Sequence, residues 1–514
     1  MWTVEALAAD LAAGRTTSRA LLEVALARIA EPEGEGARAF MKVYAQAARA
    51  DADHADRLRK AGVVRSAVDG LPVSVKDLFD VAGDVTRAGS KLLAGAAPAA
   101  ADAPAVARLR AAGAVIVGRT NMVEFAFGTT GLNPHYGTPK NPWDRPRAGS
   151  DGASHGGRVP GGSSSGAAVA QADGMCVMAL GSDTRGSIRQ PAALCGVVGF
   201  KPTQQRVPRD GAFPLSFALD SIGPLANSVA CCAAYDSILA AEPSRALAPL
   251  APKGLRLLVP RGSLVEDLDD EVARAFEASL GRLAAAGALI TQLPVPAFER
   301  QAEYFGSGGF AGAEAYAIHR RWMDRIAEYD PRIGKRINMA KDLSAADYVD
   351  LVRLRQSYIA EVAAVLAPFD AFLMPTTPCI APTIQEVDAS DEDYFRWNMR
   401  ILRNVGVVNF LDGCAVTLPC QAAGAAPVGL SVCGPALSDR HILAVARAVD
   451  RRGEADLDPG SRRAAARARR PGRGGKGGAG GAGGVPWRRT PRGICAEGRG
   501  SASRTPPPPR RRPC

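Results

Sequence analysis

The sequence predicts an α/β fold. Along most of the 514-residue chain, short apolar runs typical of buried strands alternate with segments of helical periodicity. One apolar run leads into a Gly/Asp/Thr loop that opens a helix, which is a frequent place for chemistry in such folds. The apolar content of 47% and the charged content of 22% are ordinary for a globular enzyme. The length allows one large domain or several.

The N-terminal region is predicted to be helical. Thr17 or Ser18 can cap a helix whose apolar positions recur at helical spacing, namely Leu21, Leu22, Leu26 and Ile29. A second, alanine-rich helix is predicted over 44–60. A strand is predicted at Leu71–Val75 and leads into Lys76. The elements expected next are a helix at 106–112 and a strand at 114–117 that stops at Gly118.

The most informative loop of the sequence follows a strand predicted over 176–180. The strand leads into Gly181–Arg189, which reads Gly-Ser-Asp-Thr-Arg-Gly-Ser-Ile-Arg, and a helix is predicted to begin near 187–190. Pro191 suits the first turn of a helix, where its missing N–H has no intrahelical partner. A strand, a glycine loop and a helix N-terminus can together stabilise a developing negative charge. Further along, the patterns predict a helix over 348–366, a strand over 371–374 and a last helix over 442–449.

A second serine cluster lies upstream at Gly161–Gly166, which reads Gly-Gly-Ser-Ser-Ser-Gly. It runs directly into an apolar helix predicted over 167–172, which argues against a flexible linker. The cluster formally matches the nucleophile elbow of α/β-hydrolases, but that motif needs an apolar strand immediately before it. Residues 154–160 read as a loop, so we reject the elbow. Serines held among glycines, with Lys76 in apolar sequence, indicate acyl-transfer chemistry.

A serine nucleophile needs a base to take its proton. Nothing local supports a histidine base, because the five histidines are scattered: His54, His135, His155, His319 and His441. A lysine can serve instead when burial disfavours its charged form. Lys76 follows Val73 and Val75, which are typical of a buried strand, and is a candidate for the base. A lysine that reaches solvent from a strand end is nevertheless the commoner case.

The net charge of +11 comes entirely from the C-terminus. Residues 451–514 contain 17 basic and 4 acidic side chains, which leaves the rest of the chain with a net charge of −2. We expect residues 1–450 to form the folded domain and 451–514 to be a disordered, low-complexity tail. The composition argues against nucleic-acid binding by the tail, because Trp487 is its one aromatic residue and it has no readout motif. An altered reading frame is another explanation of this tail.

The remaining composition excludes several classes of protein. The ten cysteines include no C-x-x-C pair, and we expect reduced thiols in a cytoplasmic protein. No secretory signal is recognised, and no segment has the ~20 apolar residues that a membrane span needs. No P-loop and no metal-ligand cluster is found, so we expect no cofactor and no metal.

Several segments together resemble the amidase signature family. They are the run Gly161–Thr203, Lys76 within Val-Ser-Val-Lys-Asp, Gly118–Phe125 and Leu219–Pro224. The resemblance extends over about 21–449 and implies that family's α/β fold, a mixed, twisted sheet covered by helices on both faces. It implies hydrolysis of a linear, small-molecule amide to a carboxylic acid plus ammonia or an amine, through an acyl-enzyme. It leaves the identity of the amide and the oligomeric state open, a homo-oligomer included.

The resemblance also assigns roles to residues. Ser187 would be the nucleophile, and Ser163, after a cis Gly162–Ser163 peptide, would pass the proton to a neutral Lys76. The backbone N–H groups of an oxyanion hole would come from the loop that carries Ser187, namely from Thr184, Arg185, Gly186 and Ser187 itself. The acyl pocket would be built by 125–130, with substrate-binding residues Phe127, Gly128 and Thr129, and by 305–316.

Two features depart from the family's pattern. Arg185 stands in the oxyanion loop where the family usually has glycine. A positive φ there would strain an arginine by roughly 1–2 kcal/mol, whereas a negative φ would let it line the pocket and favour an anionic substrate. The second departure is an apparent insertion at about 148–158, directly before the predicted catalytic loop.

Two other interpretations remain. The amino-acid sequence of 181–191 is similar to that of the glutaminase (A) subunit of the tRNA-dependent amidotransferase. Such a subunit would require two partner subunits, ATP and misacylated tRNA. Against this, 404–411 is more similar to free-standing amidases. The third interpretation is a catalytically silent homologue, disabled by Arg185 and the insertion.

Overall fold

The computed structural model describes residues 2–145 and 156–450. The predicted tail at 451–514 and most of the predicted insertion at 148–158 lie outside these residues. The strands are β1 (Phe40–Val43), β2 (Pro72–Lys76), β3 (Val115–Thr120), β4 (Met178–Asp183), β5 (Val198–Lys201), β6 (Ser221–Ala226), β7 (Arg256–Arg261), β8 (Leu289–Pro294), β9 (Ala371–Pro375), β10 (Cys414–Pro419) and β11 (Gly429–Gly434).

The helices of the described residues are α1 (Val4–Ala12), α2 (Ser18–Ile29), α3 (Gly36–Ala39), α4 (Ala45–Lys60), α5 (Pro104–Ala111), α6 (Ser165–Ala172), α7 (Arg189–Cys195), α8 (Val229–Leu239), α9 (Asp270–Ala285), α10 (Pro296–Glu299), α11 (Gln301–Phe305), α12 (Gly309–His319), α13 (Pro331–Asn338), α14 (Ala345–Leu366), α15 (Ile384–Asp388), α16 (Asp391–Leu402), α17 (Gly406–Phe410) and α18 (Asp439–Val449). None of these helices combines the length and the apolar character that crossing a membrane requires.

The strands form one mixed sheet in the order β1-β3-β2-β4-β6-β5-β10-β11-β9-β7-β8. β2 is parallel to β3 and to β4, and β7 is parallel to β8 and to β9. The other pairs, such as β4 with β6 and β10 with β11, are antiparallel. The predicted fold class is therefore confirmed.

Alternate side chains of β3 show that helices cover both faces of the sheet. Val115 and Val117 pack in a core with apolar residues of α2, α4 and α6. Ile116 points the other way, into a core that includes residues of α5, α8 and α18. This double burial explains why the strands read as continuous apolar runs in the sequence.

Most of the predicted elements are present with shifted ends. The hydroxyl of Thr17 caps α2, as predicted, by accepting from the N–H of Ala20 at 3.0 Å. The predicted end of a strand at Gly118 is wrong, because β3 continues to Thr120 and pairs with β1. Gly118 allows β1 and β3 to approach closely, because a Cβ atom on it would lie 2.3 Å from the carbonyl oxygen of Lys42. The eight cysteines in the described residues are buried and form no disulfide.

Candidate active site

The sheet brings Lys76 to the two serine segments. Lys76 ends β2, beside the parallel strand β4, and its side chain is completely buried. Its Nζ donates to the Oγ of Ser163 at 2.8 Å and to the Oγ of Ser182 at 2.9 Å. Ser163 lies in the loop that leads into α6, and the Gly162–Ser163 peptide is cis. The commoner expectation from local sequence, a lysine reaching solvent, is wrong.

Burial controls the protonation of Lys76. It lowers the pKa of the ammonium group from 10.5 to about 7, and the charges of Asp183 and Asp220 partly oppose this shift. At pH 7 about half of the amine is therefore neutral and able to accept a proton. A lysine in this state can do the work of a general base.

Asp183 organises the loop between β4 and α7 that carries Ser187. Its carboxylate accepts from the backbone N–H of Gly186 at 2.7 Å and from that of Ile188 at 3.2 Å. It also forms a fully buried ion pair with Arg189, with an N–O distance of 3.0 Å. The Arg189 guanidinium holds the pKa of Asp183 far below its usual range against the opposing effect of burial. The carboxylate thus fixes the loop from within.

The two serine segments are joined by a backbone contact. The N–H of Ser164 donates to the carbonyl oxygen of Ser187 at 3.2 Å. Ser187 itself is 5% exposed and faces a cleft, whereas Ser163 is completely buried. The loop before α6 and the loop after β4 therefore form one unit at the edge where β2 and β4 end.

Three of the four residues predicted to form the oxyanion hole, Thr184, Arg185 and Gly186, differ in their surroundings. The Gly186 N–H is engaged by Asp183, and Gly186 has a φ of 102°, with a hypothetical Cβ only 2.3 Å from Cγ2 of Val405. The Thr184 hydroxyl donates to Oδ1 of Asp220 at 2.5 Å. Arg185 is not among the described non-glycine residues with positive φ. The strain considered for an arginine at this position is therefore absent, and the oxyanion role of the loop stays a prediction.

The Arg185 side chain points into the cleft beside Ser187. Its guanidinium lies 3.7 Å from the ring centroid of Phe305, and its Nε is buried without a hydrogen-bond partner. Burial, reinforced by the positive charge of Arg336, lowers the pKa of Arg185 to about 9. Gly406 leaves room for this stack, since a Cβ there would lie 3.0 Å from the Phe305 ring and 3.3 Å from the Arg185 Nε.

Arg336 of α13 was not predicted as a site residue. Its Nη1 donates to the carbonyl oxygen of Phe127 at 2.9 Å, and its guanidinium lies 4.3 Å from the Phe127 ring centroid. Burial lowers the pKa of Arg336 as well. An arginine inside an ordinary helical pattern gives no sequence signal that it faces a cleft.

The predicted pocket residues meet at Ser187. The cleft is lined by both arginines and by residues of five segments: Ala126, Phe127, Gly128, Thr129, Thr184, Ser187, Leu215, Ala311 and Leu402. The space inside it is only about 20 Å³, enough for about one water molecule. A larger cleft of about 360 Å³ adjoins it through Ala126, Thr184 and Leu215. The structure thus brings Phe127, Gly128 and Thr129 together with Ser187.

The loop between the two clefts has unusual backbone geometry. Phe125 and Ala126 both adopt left-handed conformations, with φ values of 50° and 60°. Non-glycine residues rarely adopt them, and such residues concentrate at functional sites. The Phe125 ring is anchored by His319, with ring centroids 4.4 Å apart. No sequence pattern indicated this strain, which arises from tertiary packing.

Comparison with known proteins supports one family. The profile described as Amidase matches residues 20–443. The 2-amino-5-chloromuconic acid deaminase of Comamonas testosteroni is 37% identical over 407 residues, covering 78% of this chain and 86% of the relative. The A subunit of a glutamyl-tRNA(Gln) amidotransferase from Anaeromyxobacter sp. (strain K) is 34% identical over 482 residues, with coverages of 86% and 94%. A crystal structure of an amidase superposes with a TM-score of 0.75 at 33% identity, over 87% of this chain and 99% of that one.

The chain therefore belongs to the amidase signature family. Membership supports a hydrolase that acts on carbon–nitrogen bonds, and the predicted resemblance is confirmed. The fold, the profile match and the relatives agree on this class of protein.

Proposed function

We propose that this protein hydrolyses a carboxylic amide through Ser187, Ser163 and Lys76. The observation that carries the proposal is the hydrogen bond of 2.8 Å between the Lys76 Nζ and the Ser163 Oγ, in a site that lowers the lysine pKa to about 7. A buried neutral amine next to a serine is the arrangement that a proton relay requires. The cleft at Ser187 gives an amide a place to react.

In the first half of the reaction, the Ser187 Oγ attacks the amide carbon. Its proton passes to the Ser163 Oγ, whose own proton passes to the Lys76 Nζ, which becomes an ammonium. The carbonyl oxygen becomes an oxyanion, and the backbone N–H groups of Thr184, Arg185 and Ser187 would stabilise it, because that of Gly186 donates to Asp183. Loss of one such donor typically costs about 100- to 1,000-fold in rate.

Collapse of the tetrahedral intermediate breaks the carbon–nitrogen bond. The proton returns from Lys76 through Ser163 to the departing nitrogen, which leaves as ammonia or an amine. Water then attacks the acyl-enzyme with the same relay as base. This second half releases the carboxylic acid and restores Ser187.

A fluorophosphonate probe tests the relay without knowledge of the substrate. We expect an adduct on Ser187 by mass spectrometry, and no adduct in Ser187→Ala, Lys76→Ala or Ser163→Ala. Ser165→Ala is the matched control, because the Ser165 hydroxyl is buried with no hydrogen-bond partner in the described structure. A wild-type level of labelling in Ser163→Ala, with each variant folded, would contradict the relay.

The same probe separates the silent-homologue interpretation from an active enzyme. Labelling that occurs only in Arg185→Gly would mean that the wild-type chain is disabled. Against that interpretation, Arg185 has no positive φ and the Lys76–Ser163 contact is intact.

A glutaminase subunit is the second candidate, supported by the amidotransferase relative and its 94% coverage. Such a subunit would act with partner subunits and pass ammonia onward. Robust turnover of an amide by the purified chain alone would favour the free-standing amidase. Glutaminase activity that appears only with co-purified partners would favour the subunit.

We also propose that residues 1–450 form the amidase domain, which the match over 20–443 supports. Residues 451–514 lie beyond that match, and their role as a disordered tail stays a prediction. The cytoplasmic location likewise stays a prediction. Truncation after Asp450 with unchanged probe labelling and thermal stability would support the domain assignment.

A further inference from the structure

The cleft beside Ser187 contains an excess of positive charge. Arg185 and Arg336 both line it, and no carboxylate in residues 2–145 or 156–450 forms an ion pair with either one. Most other arginines in the described chain behave differently: Arg189 and Arg119, for example, pair with Asp183 and Asp77 in the core. Within the described residues, no carboxylate balances the charges of Arg185 and Arg336 in this way.

Both guanidiniums lie over aromatic rings, which do not supply the hydrogen-bond acceptors that their N–H groups need. Arg185 lies over Phe305 and Arg336 over Phe127, at 3.7 Å and 4.3 Å from the ring centroids. The Arg185 Nε is buried and has no hydrogen-bond acceptor, and the one described acceptor of Arg336 is the Phe127 carbonyl oxygen. The described hydrogen bonds therefore leave several N–H donors of the two guanidiniums without an acceptor.

The electrostatic state of the pair agrees with the geometry. Burial and mutual repulsion disfavour the charged form of Arg185, and burial does so for Arg336. An anion between them would remove the repulsion and supply the missing acceptors, because planar guanidiniums bind carboxylates through paired hydrogen bonds. Two like charges placed next to a reactive serine are costly unless a ligand uses them.

We propose that Arg185 and Arg336 form a carboxylate-binding subsite, so that the substrate is an amide whose acyl part bears a carboxylate. This inference rests on the proposed function and extends it to a substrate class. It makes Arg185 a specificity-determining residue in the loop that also holds Ser187.

A pair of amides that differ only in charge tests the subsite. Succinamate carries a carboxylate where isocaproamide, of nearly the same shape, carries an isopropyl group. We expect the wild-type enzyme to have a kcat/KM at least about 100-fold higher for succinamate, since a site built for a charged partner rejects the neutral isostere strongly. Arg185→Met and Arg336→Met should each reduce this ratio at least tenfold, by analogy with truncated charge pairs.

Two further variants distinguish charge from packing. Arg185→Lys keeps the charge and should retain more of the succinamate preference than Arg185→Met. Arg321→Met is the matched control, because Arg321 also stacks on an aromatic ring, at 4.0 Å from the Trp322 centroid, but does not line the cleft. The control should leave the ratio unchanged.

Binding to Ser187→Ala provides a measurement that needs no turnover. Calorimetry should detect succinamate, and the affinity should fall at least tenfold when Arg185→Met is added. Equal binding of succinamate and isocaproamide, in protein whose wild-type form labels at Ser187, would overturn the carboxylate subsite and leave the amidase proposal standing. Absence of labelling in both the wild type and Arg185→Gly would instead refute the proposed function.

Discussion

The pKa of Lys76 makes the sharpest prediction, because it links a buried contact to a measurable rate. An ordinary lysine with a pKa of 10.5 is neutral at pH 7 in only about 0.03% of molecules, whereas a pKa of about 7 gives about half. Burial therefore increases the population of the neutral base by roughly three orders of magnitude. In the proposed relay, only the neutral amine can accept the proton that Ser163 passes on.

The direction of the pH dependence follows from this. Below pH 7 the amine binds a proton and is lost as a base, so the rate of fluorophosphonate labelling should fall about tenfold per pH unit. Above pH 7 the rate should level off. The assay is the second-order labelling rate between pH 5.5 and pH 9, with thermal unfolding recorded at each pH to exclude loss of the fold.

Lys76→Met identifies the titrating group. It should reduce the labelling rate by at least about 1,000-fold, as expected when one member of a catalytic unit is removed. A flat profile, or a rate that is still climbing at pH 9, would refute a neutral Lys76 as the base. A midpoint near pH 7 that persists in Lys76→Met would show that another group titrates.

Three further substitutions test the residues that position Ser187 and Lys76. Asp183→Asn leaves the buried Arg189 unpaired and should lower the free energy of unfolding by about 3–5 kcal/mol, measured by chemical denaturation. Gly186→Ala meets a φ of 102° and a Val405 methyl group, so labelling should drop sharply; a wild-type rate would contradict the backbone geometry. Ser182→Ala removes one acceptor of the lysine amine, and a decrease in the labelling rate of about tenfold, with unchanged melting temperature, is expected.

Local sequence determined much of the fold. Apolar runs over 71–75 and 371–374 predicted strands that the structure contains as β2 and β9, because a strand buried on both faces must be continuously apolar. Helical periodicity, together with the cap at Thr17, predicted α2. Seven strands of the described residues were not predicted, namely β1, β5, β6, β7, β8, β10 and β11. For β8 the reason is that its exposed, mixed residues belong to the edge of the sheet and lack a strong pattern.

The motifs by themselves indicated the serines and Lys76, but only the tertiary structure decided their chemical state. Whether a strand-end lysine is neutral depends on its burial, and the Lys76 amine is buried against Ser163 and Ser182, which are 87 and 106 residues away along the chain. The same holds for Arg336, whose helix brings it against Phe127 from more than 200 residues away. Sequence patterns report periodicity along the chain, whereas proximity and desolvation arise when distant segments pack together.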